Sequence, residues 1–193
     1  AERAPPTLIA VSKRHPPEAI RAAYEAGQRD FGESYAQEFI RKSEALRDLD
    51  ALRWHIIGPL QRNKAKHIAP LSPRIHTLSS TRLMDALNRH ALKPVDTLIQ
   101  VNLAGETQKS GVSPEDVGAL IEHARSACPQ INIRGLMLIP PRVGDPSPWY
   151  ARLRDLASEH HLTELSMGMS NDFEEAILEG ATLIRLGTIL FSK

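Results

Sequence analysis

The sequence has little cysteine, no long apolar run and almost no net charge. Its 193 residues contain one cysteine, Cys128, which excludes an internal disulfide. No stretch approaches the ~20 consecutive apolar residues of a membrane-spanning helix. The first six residues are polar and proline-rich, without the basic and then apolar pattern of a signal segment. These absences predict a soluble, cytoplasmic protein.

The charges of the chain nearly cancel, with 24 basic and 23 acidic residues and a formal net charge of +1. A balanced chain lacks the positive field that drives binding to nucleic acid or to an anionic membrane. We therefore expect a small-molecule or protein partner, no nucleic acid and no membrane. The basic segment QRNKAKH at 61–67 is then a solvated helix start. No Cys/His cluster has zinc-like spacing, so no metal site is predicted.

Strand-like and helix-like segments alternate along the chain. Short apolar or β-rich runs predict strands at 8–11, 30–32, 53–57, 74–78, 96–101, within 131–139, at 165–166 and at 182–186. The segments between them are long enough for crossovers, which indicates a parallel sheet. Asn171 and Glu174 predict a capping box at the start of the last of these crossover helices.

The count of eight strands favours a closed (β/α)₈ TIM barrel of the α/β class over an open doubly wound sheet. No break in composition divides the chain, so we expect a single domain over residues 1–193. A monomer is expected as well, because a closed barrel leaves no sheet edge to cover.

The first predicted strand ends in a lysine. Leu8 to Val11 is apolar on both faces and Pro16 and Pro17 follow closely, so Lys13 lies at the carboxyl end of a buried strand. Ligands bind at that end in α/β folds. A solvated lysine without a ligand is the alternative.

The loops after the seventh and eighth predicted strands are rich in glycine and hydroxyl groups. They are SMGMS at 166–170 and RLGT at 185–188. Phosphate sites in TIM barrels are typically built by these two loops. Glycine lets backbone N–H groups approach an anion, and hydroxyls donate hydrogen bonds to it. A simple helix cap is the alternative for each turn.

A lysine facing a phosphate cradle suggests a phosphorylated aldehyde as the ligand. The amine would form a Schiff base while the cradle holds the phosphate, and pyridoxal 5′-phosphate fits both ends. Arg185 would lie near the cofactor ring. Its fixed positive charge would keep the pyridine nitrogen unprotonated. A salt bridge at the barrel rim is the alternative for Arg185.

Eight segments together resemble the pyridoxal phosphate homeostasis protein family over nearly the whole chain. They are IAVSK (9–13), FGESYAQE (31–38), WHIIGPLQRNK (54–64), QVN (100–102), KSGV (109–112), GLM (135–137), LSMGMS (165–170) and RLGT (185–188). The family is similar to the N-terminal barrel domain of alanine racemase standing alone. The resemblance therefore implies the same barrel and the same cofactor.

The resemblance also assigns roles to single residues. Lys13 matches the lysine that forms the internal aldimine, and Arg185 matches the arginine that faces the pyridine nitrogen. Ser34 stands where the family usually has asparagine, so a contact near the cofactor ring is expected to be lost or mediated by water. The phosphate-binding turns match Ser166, Met167, Gly168, Gly187 and Thr188.

The function implied by the resemblance is that of a cofactor carrier without catalytic residues, which contributes to pyridoxal phosphate homeostasis and passes the cofactor to apo enzymes. A racemase is one alternative, but it needs a second base opposite the lysine. In racemases a separate β-domain supplies that base, and this chain has no residues left to build one. A Schiff-base phosphosugar aldolase is the other alternative, with Glu33 and Tyr35 as its acid/base candidates.

Two further side chains carry weaker hypotheses. His55 ends the third predicted strand, where backbone groups would satisfy it, with a role as general base as the alternative. Lys109 lies in a loop beside Gly111 and is expected to be a surface lysine, with transient binding of the cofactor as the alternative.

Overall fold

Parallel strands close into a barrel in the computed structural model, which describes residues 4–106 and 108–191. The strands are β1 (Thr7–Val11), β2 (Asp30–Glu33), β3 (Arg53–Ile56), β4 (Arg74–Leu78), β5 (Val95–Gln100), β6 (Ile131–Met137), β7 (Glu164–Ser166) and β8 (Leu183–Leu186). They pair in chain order, and β1 pairs with β8 to close the ring. The predicted TIM barrel is confirmed, and the open sheet is excluded.

Helical segments connect the strands and surround the barrel. The α-helices are α1 (Pro17–Glu25), α2 (Ala36–Ala45), α3 (Ala65–Ile68), α4 (Thr81–His90), α5 (Val117–Ala127), α6 (Ser147–Glu159), α7 (Phe173–Leu178) and α8 (Thr188–Phe191). Short 3₁₀ turns cover Arg62–Lys64, Ala69–Leu71 and Pro114–Asp116. None of the helices in the described ranges has the length and apolarity needed to cross a bilayer.

Two apolar layers pack against the two faces of the barrel wall. Inside, Ile9, Leu98 and Met137 belong to one buried cluster. Outside, Phe31 packs with Ile20 of α1. Because most positions on both faces of the wall are buried, many strand residues are apolar, and this is why short apolar runs predicted strands such as β1 and β5.

The predicted capping box at α7 is wrong. The helix begins at Phe173, its N-cap residue is Asp172, and the Asp172 side chain does not cap it. Asp172 Oδ1 instead accepts a hydrogen bond from the N–H of Met169 at 2.6 Å. The carboxylate is thus turned back onto the loop after β7, and it fixes that loop rather than the helix start.

Candidate ligand site

A cavity of about 790 Å³ opens at the carboxyl ends of the strands. This volume lies within the range of small-molecule sites. Within the described part of the chain, no carboxylate lines the cavity, and its polar side chains are Lys13, Arg14, His15, Ser34, Tyr35, Ser170, Arg185 and Thr188. The lining is therefore cationic, which favours an anionic ligand.

Lys13 lies at the mouth of this cavity, in the turn between β1 and α1. Its side chain is exposed, while the strand residues before it are buried. The next residue, Arg14, has a φ of 66°, a left-handed conformation that non-glycine residues seldom adopt. The N–H of Arg14 donates to Glu38 Oε2 at 3.0 Å, which holds the turn in this conformation.

A buried ion pair fixes the backbone on the other side of Lys13. The Lys42 ammonium donates to Glu33 Oε1 at 2.7 Å and to the carbonyl of Ser12 at 2.8 Å. The Ser12 hydroxyl also donates to Glu33 Oε1, at 2.7 Å. Burial raises the pKa of Glu33 to about 7, against the opposing hydrogen bonds from Lys42 and Ser12. The residues on both sides of Lys13 are thus held by contacts with Glu38, Glu33 and Lys42, and Lys13 between them is exposed at the cavity.

Arg185 of β8 forms the base of the cavity and is only 4% exposed. Its Nη1 donates to Ser166 Oγ at 2.6 Å, and its Nη2 donates to the carbonyl of Leu138 at 3.0 Å. Burial lowers the pKa of Arg185 to about 10, so the guanidinium stays charged at neutral pH. Among residues 4–106 and 108–191, no carboxylate forms an ion pair with it, and both hydrogen-bond acceptors are neutral.

The loops after β7 and β8 meet at one wall of the cavity. Gly168 has a φ of 91°, and a Cβ at this position would lie 2.6 Å from that of Ala176 on α7. A glycine is therefore required where the β7 loop turns past the helix. The N–H of Gly187 approaches Ser170 Oγ at 3.4 Å, and Ser170, Gly187 and Thr188 line the cavity.

A line of buried polar side chains crosses the barrel interior behind Arg185. Ser166 Oγ lies 2.8 Å from His76 Nδ1, and His76 Nε2 lies 2.9 Å from His55 Nδ1. His55 Nε2 lies 2.9 Å from Asp30 Oδ1. Asp30 and His55 line a second cavity, of about 430 Å³, at the amino ends of the strands. The hydrogen-bonded line thus connects the two openings of the barrel.

Comparison with known proteins places the chain in a family. The family model described as alanine racemase, N-terminal domain, matches residues 1–193. The pyridoxal phosphate homeostasis protein of Aquifex aeolicus (strain VF5) is 44% identical over 198 residues, which cover 96% of this chain and 86% of the relative. The chain belongs to the pyridoxal phosphate homeostasis protein family.

Solved structures support the same assignment. PipY of Synechococcus elongatus PCC7942 with PLP bound is 41% identical to this family member, with a TM-score of 0.88 over 98% of this chain and 95% of PipY. PipY without PLP gives a TM-score of 0.91 at 42% identity, over 97% of this chain and 93% of PipY. An alanine racemase of Clostridium difficile 630 shares the fold, with a TM-score of 0.76 at 13% identity, over 97% of this chain and 52% of the racemase.

In this homeostasis-family protein the cavity brings together most of the predicted cofactor residues. Those that line it are Lys13, Ser34, Arg185, Gly187 and Thr188. The other three lie behind the wall. The Ser166 hydroxyl faces Arg185 and His76 inside the barrel, and the Met167 side chain packs in the outer core. Gly168 shapes the turn after β7. The phosphate contacts assigned to Ser166, Met167 and Gly168 stay predictions.

Two expectations about polar side chains are corrected: the place of Glu33 near the ligand and the backbone contacts of His55. Glu33 does not line the cavity, because its carboxylate is buried against Lys42 on the helix side of β2. His55 is bound by the side chains of Asp30 and His76 rather than by backbone. Of the two aldolase candidates only Tyr35 lines the cavity, where it is 49% exposed.

Sequence reasoning missed three residues that support the site: Asp30, His76 and Lys42. Each is a polar residue at a position where the pattern demands an apolar one. His76 is fully buried in the middle of β4 and faces the barrel interior, and Lys42 is fully buried on the helix face of Phe39 and Leu46. Buried polar groups are hydrogen-bonded. A polar residue within an apolar pattern was therefore the signal that could have predicted a buried hydrogen-bond network.

Two other polar groups lie outside this network. Asp85, His123 and Cys128 bring their donor atoms within 4.8 Å of one another, although their spacing did not suggest a cluster. Hydrogen bonds from His123 and Cys128 to Asp85 account for the arrangement, and burial raises the pKa of the Cys128 thiol to about 11. Lys109 is less exposed than predicted, since its ammonium donates to the carbonyl of Pro140 at 3.0 Å.

Proposed function

We propose that the chain binds pyridoxal 5′-phosphate in the 790 Å³ cavity, holds it through Lys13 and carries it without catalysing a reaction. The observation that carries this proposal is the charge of the cavity. Arg185 is buried at its base and forms no ion pair with a carboxylate among the described residues, although the charge of Asp172 acts on it from beyond ion-pair distance. A buried charge is costly unless it is paired. A ligand that carries negative charge elsewhere in the same cavity would offset this positive charge.

The residues of the cavity fit this cofactor. An exposed primary amine stands at the mouth, a guanidinium lies at the base, and hydroxyls of Ser34, Ser170 and Thr188 line the walls. When bound, the cofactor supplies an aldehyde that condenses with an amine. The PLP-bound PipY structure, at 41% identity, supports the same assignment for this chain.

Each group has a proposed task. The Lys13 amine would hold the cofactor by condensing with its aldehyde, with release of water. The contacts of Arg14 with Glu38 and of Ser12 with Lys42 fix the backbone on both sides of this lysine. Ser170, Gly187 and Thr188 face the phosphate, because they line the wall where the β7 and β8 loops meet. Arg185 faces the ring nitrogen and disfavours its protonation. Of the residues matched to the phosphate turns, Ser166 instead supports Arg185 through its hydroxyl.

A carrier role agrees with the cavity better than a racemase role. A protonated ring nitrogen withdraws electrons from a bound substrate. An arginine beside that nitrogen disfavours its protonation and so weakens the electron withdrawal. Within the described residues, only His15 and Tyr35 line the cavity as candidates for a second base, and His15 is stacked on Phe191 with ring centroids 4.7 Å apart. We infer a monomer of one domain over 1–193, which passes the cofactor to apo enzymes in the cytoplasm.

The absorption spectrum of the purified protein tests this proposal. With added pyridoxal phosphate, we expect a visible band that borohydride removes, and peptide mass analysis should then find the reduced cofactor on Lys13. Lys13→Ala should lack the band. The matched control is Lys93→Ala, which removes an exposed lysine at the opposite end of the barrel and should keep it. A wild-type protein that stays colourless would overturn the proposal and favour the phosphosugar aldolase.

Hydrogen exchange at an amino acid separates a carrier from an enzyme. The loaded protein should not exchange the α-hydrogen of alanine for deuterium above the rate of free cofactor. An exchange rate that depends on Lys13 would contradict the carrier role while leaving cofactor binding intact.

A further inference from the structure

The polar line inside the barrel has two charged ends and three neutral links. At one end is Arg185, at the base of the ligand cavity. At the other end is Asp30, which also accepts hydrogen bonds from Arg53 Nε at 2.9 Å and Nη2 at 2.6 Å. The links between them are Ser166, His76 and His55, all 3% exposed or less.

The protonation of this line is fixed by its ends. Burial opposes ionisation of Asp30, but hydrogen bonds from His55 and Arg53 outweigh it and hold the pKa of that carboxyl well below its usual range. Burial lowers the pKa of both His55 and His76, so both rings are neutral at neutral pH. A neutral imidazole has one donor and one acceptor nitrogen.

Only one arrangement of protons then satisfies every contact. His55 must donate from Nε2 to the Asp30 carboxylate, so its Nδ1 accepts from Nε2 of His76. His76 Nδ1 therefore accepts from the Ser166 hydroxyl, whose oxygen accepts from Nη1 of Arg185. Every hydrogen bond points the same way, from the guanidinium to the carboxylate.

We propose that Asp30, His55, His76 and Ser166 are positioning residues for Arg185, linked into a one-directional hydrogen-bond chain that fixes where its charge meets the ligand. This inference rests on the proposed function for the identity of the ligand. The inference adds that the position of the Arg185 guanidinium is fixed from the opposite opening of the barrel. Asp30 and His55 line the second cavity at that opening.

Packing alone does not account for these side chains. Well-packed apolar residues would fill the barrel interior at least as stably as a buried polar chain, and neighbours such as Ile9 and Leu98 show that this interior accepts them. A hydrogen-bonded chain, by contrast, restricts the guanidinium to one position. That restriction matters at a ligand site, where small displacements of a charged group weaken binding.

The orientation of the chain is tested first, in the wild-type protein without cofactor. Ring ¹⁵N chemical shifts assigned to His55 and His76 should show both in the neutral form protonated at Nε2, at neutral pH. A His76 ring protonated at Nδ1, or a charged ring at His55 or His76, would contradict the proposed direction of the hydrogen bonds. This measurement does not depend on cofactor binding, so it can fail or succeed independently of the proposed function.

The coupling to the ligand is tested next, through Kd for pyridoxal phosphate and the absorption maximum of the loaded protein. Ser166→Ala and His76→Leu should each raise Kd about tenfold and shift the maximum. Ser166→Ala removes the acceptor of Arg185 Nη1, and His76→Leu removes the acceptor that orients the Ser166 hydroxyl beneath that nitrogen. The double variant should be no worse than either single one, since both break the same chain. His76→Gln retains one donor and one acceptor and should restore much of the affinity.

The matched control is Asp96→Asn against Asp30→Asn. Both replace a carboxylate at the amino ends of the strands, but Asp96 pairs with Arg74. Arg74 forms no hydrogen bond with His55 or His76 among the described residues, although its charge contributes to lowering the pKa of both. Only Asp30→Asn should change Kd and the spectrum. Additive effects of Ser166→Ala and His76→Leu, or equal effects of the two asparagine variants, would overturn the inference. If wild-type protein binds no cofactor, the proposed function fails. The ¹⁵N shifts of the two histidine rings then decide by themselves whether the hydrogen-bond chain exists.

Discussion

At the scale of single residues, two lysines show how much the surroundings decide. Lys13 is exposed at the cavity, whereas Lys42 is fully buried and forms an ion pair with Glu33. An amine that must react with an aldehyde needs access, and an amine that clamps a turn needs carboxylate partners. Replacing Lys42 by an apolar residue should be strongly destabilising, because Glu33 and Glu38 would both lose their cation. The second lysine is therefore structural support for the first.

The raised pKa of Glu33 predicts that the free energy of unfolding depends on pH. Its pKa is about 7 in the folded protein against an ordinary value of 4.5, so the folded state binds the proton more tightly. The stability contributed by this group is complete below about pH 4.5 and is lost as the pH rises through about 7. We expect a loss on the order of 2 kcal/mol in the free energy of unfolding across this range.

Denaturant unfolding at pH 5 to 8 measures this loss. Glu33→Gln should flatten the pH dependence, whereas Glu44→Gln, at a carboxylate that is largely exposed, should leave it as in the wild type. The same slope in Glu33→Gln and wild-type protein would show that Glu33 does not titrate in this range.

At the scale of elements, the cavity wall depends on short turns rather than on long helices. The loop after β7 is fixed by Gly168 at one point and by the Asp172 carboxylate at another. Both contacts hold the loop against α7, which is why the wall beside Ser170 keeps its shape. A change in this turn should therefore disturb ligand binding as well as stability.

Gly168→Ala tests this against Gly144→Ala. Both glycines have positive φ, at 91° and 96°, but a Cβ at Gly144 meets nothing within 4 Å. We expect a loss of about 1 kcal/mol at Gly144, from backbone strain alone. Gly168→Ala should lose about 3 kcal/mol, because the new methyl also overlaps Ala176. Thermal unfolding measures the two losses, and equal values would show that the loop moves aside at no cost.

At the scale of the whole molecule, closure of the barrel places both ends of the ligand site on adjacent strands. β1 carries Lys13 just beyond its end, and it pairs directly with β8, which carries Arg185. Residues near opposite ends of the chain are thus brought together by the pairing that closes the ring. Ligand bound between them would tie the first and last strands together.

Binding of the cofactor should therefore stabilise the folded protein. At a free concentration of 100 times Kd, the gain is about 2.7 kcal/mol, which corresponds to a rise in Tm of roughly 5 to 10 °C. Differential scanning fluorimetry should show this rise with pyridoxal phosphate and a much smaller one with pyridoxal, which lacks the phosphate. An equal rise with both ligands would contradict a phosphate contact at the β7 and β8 loops.

Much of the fold was predictable from the sequence, because parallel barrel strands are buried on both faces and appear as short apolar runs. The fourth strand has the predicted bounds, Arg74–Leu78. The capping box failed because Asn171 and Glu174 match a local pattern, while the contact of Asp172 with Met169 decided how that loop folds.

The sequence by itself determined the strand count, the position of Lys13 after a buried strand and the two loops that meet near it. These follow from local periodicity and from the order of the segments, which the chain carries directly. Only the tertiary structure decided which way the side chains of Glu33, His55 and Ser166 face. Glu33 faces Lys42 on the following helix, and His55 faces Asp30 and His76 on the two neighbouring strands. Ser166 of β7 faces His76 of β4 across the barrel interior, a contact that exists only once the barrel has formed. None of these partners can be identified from local periodicity.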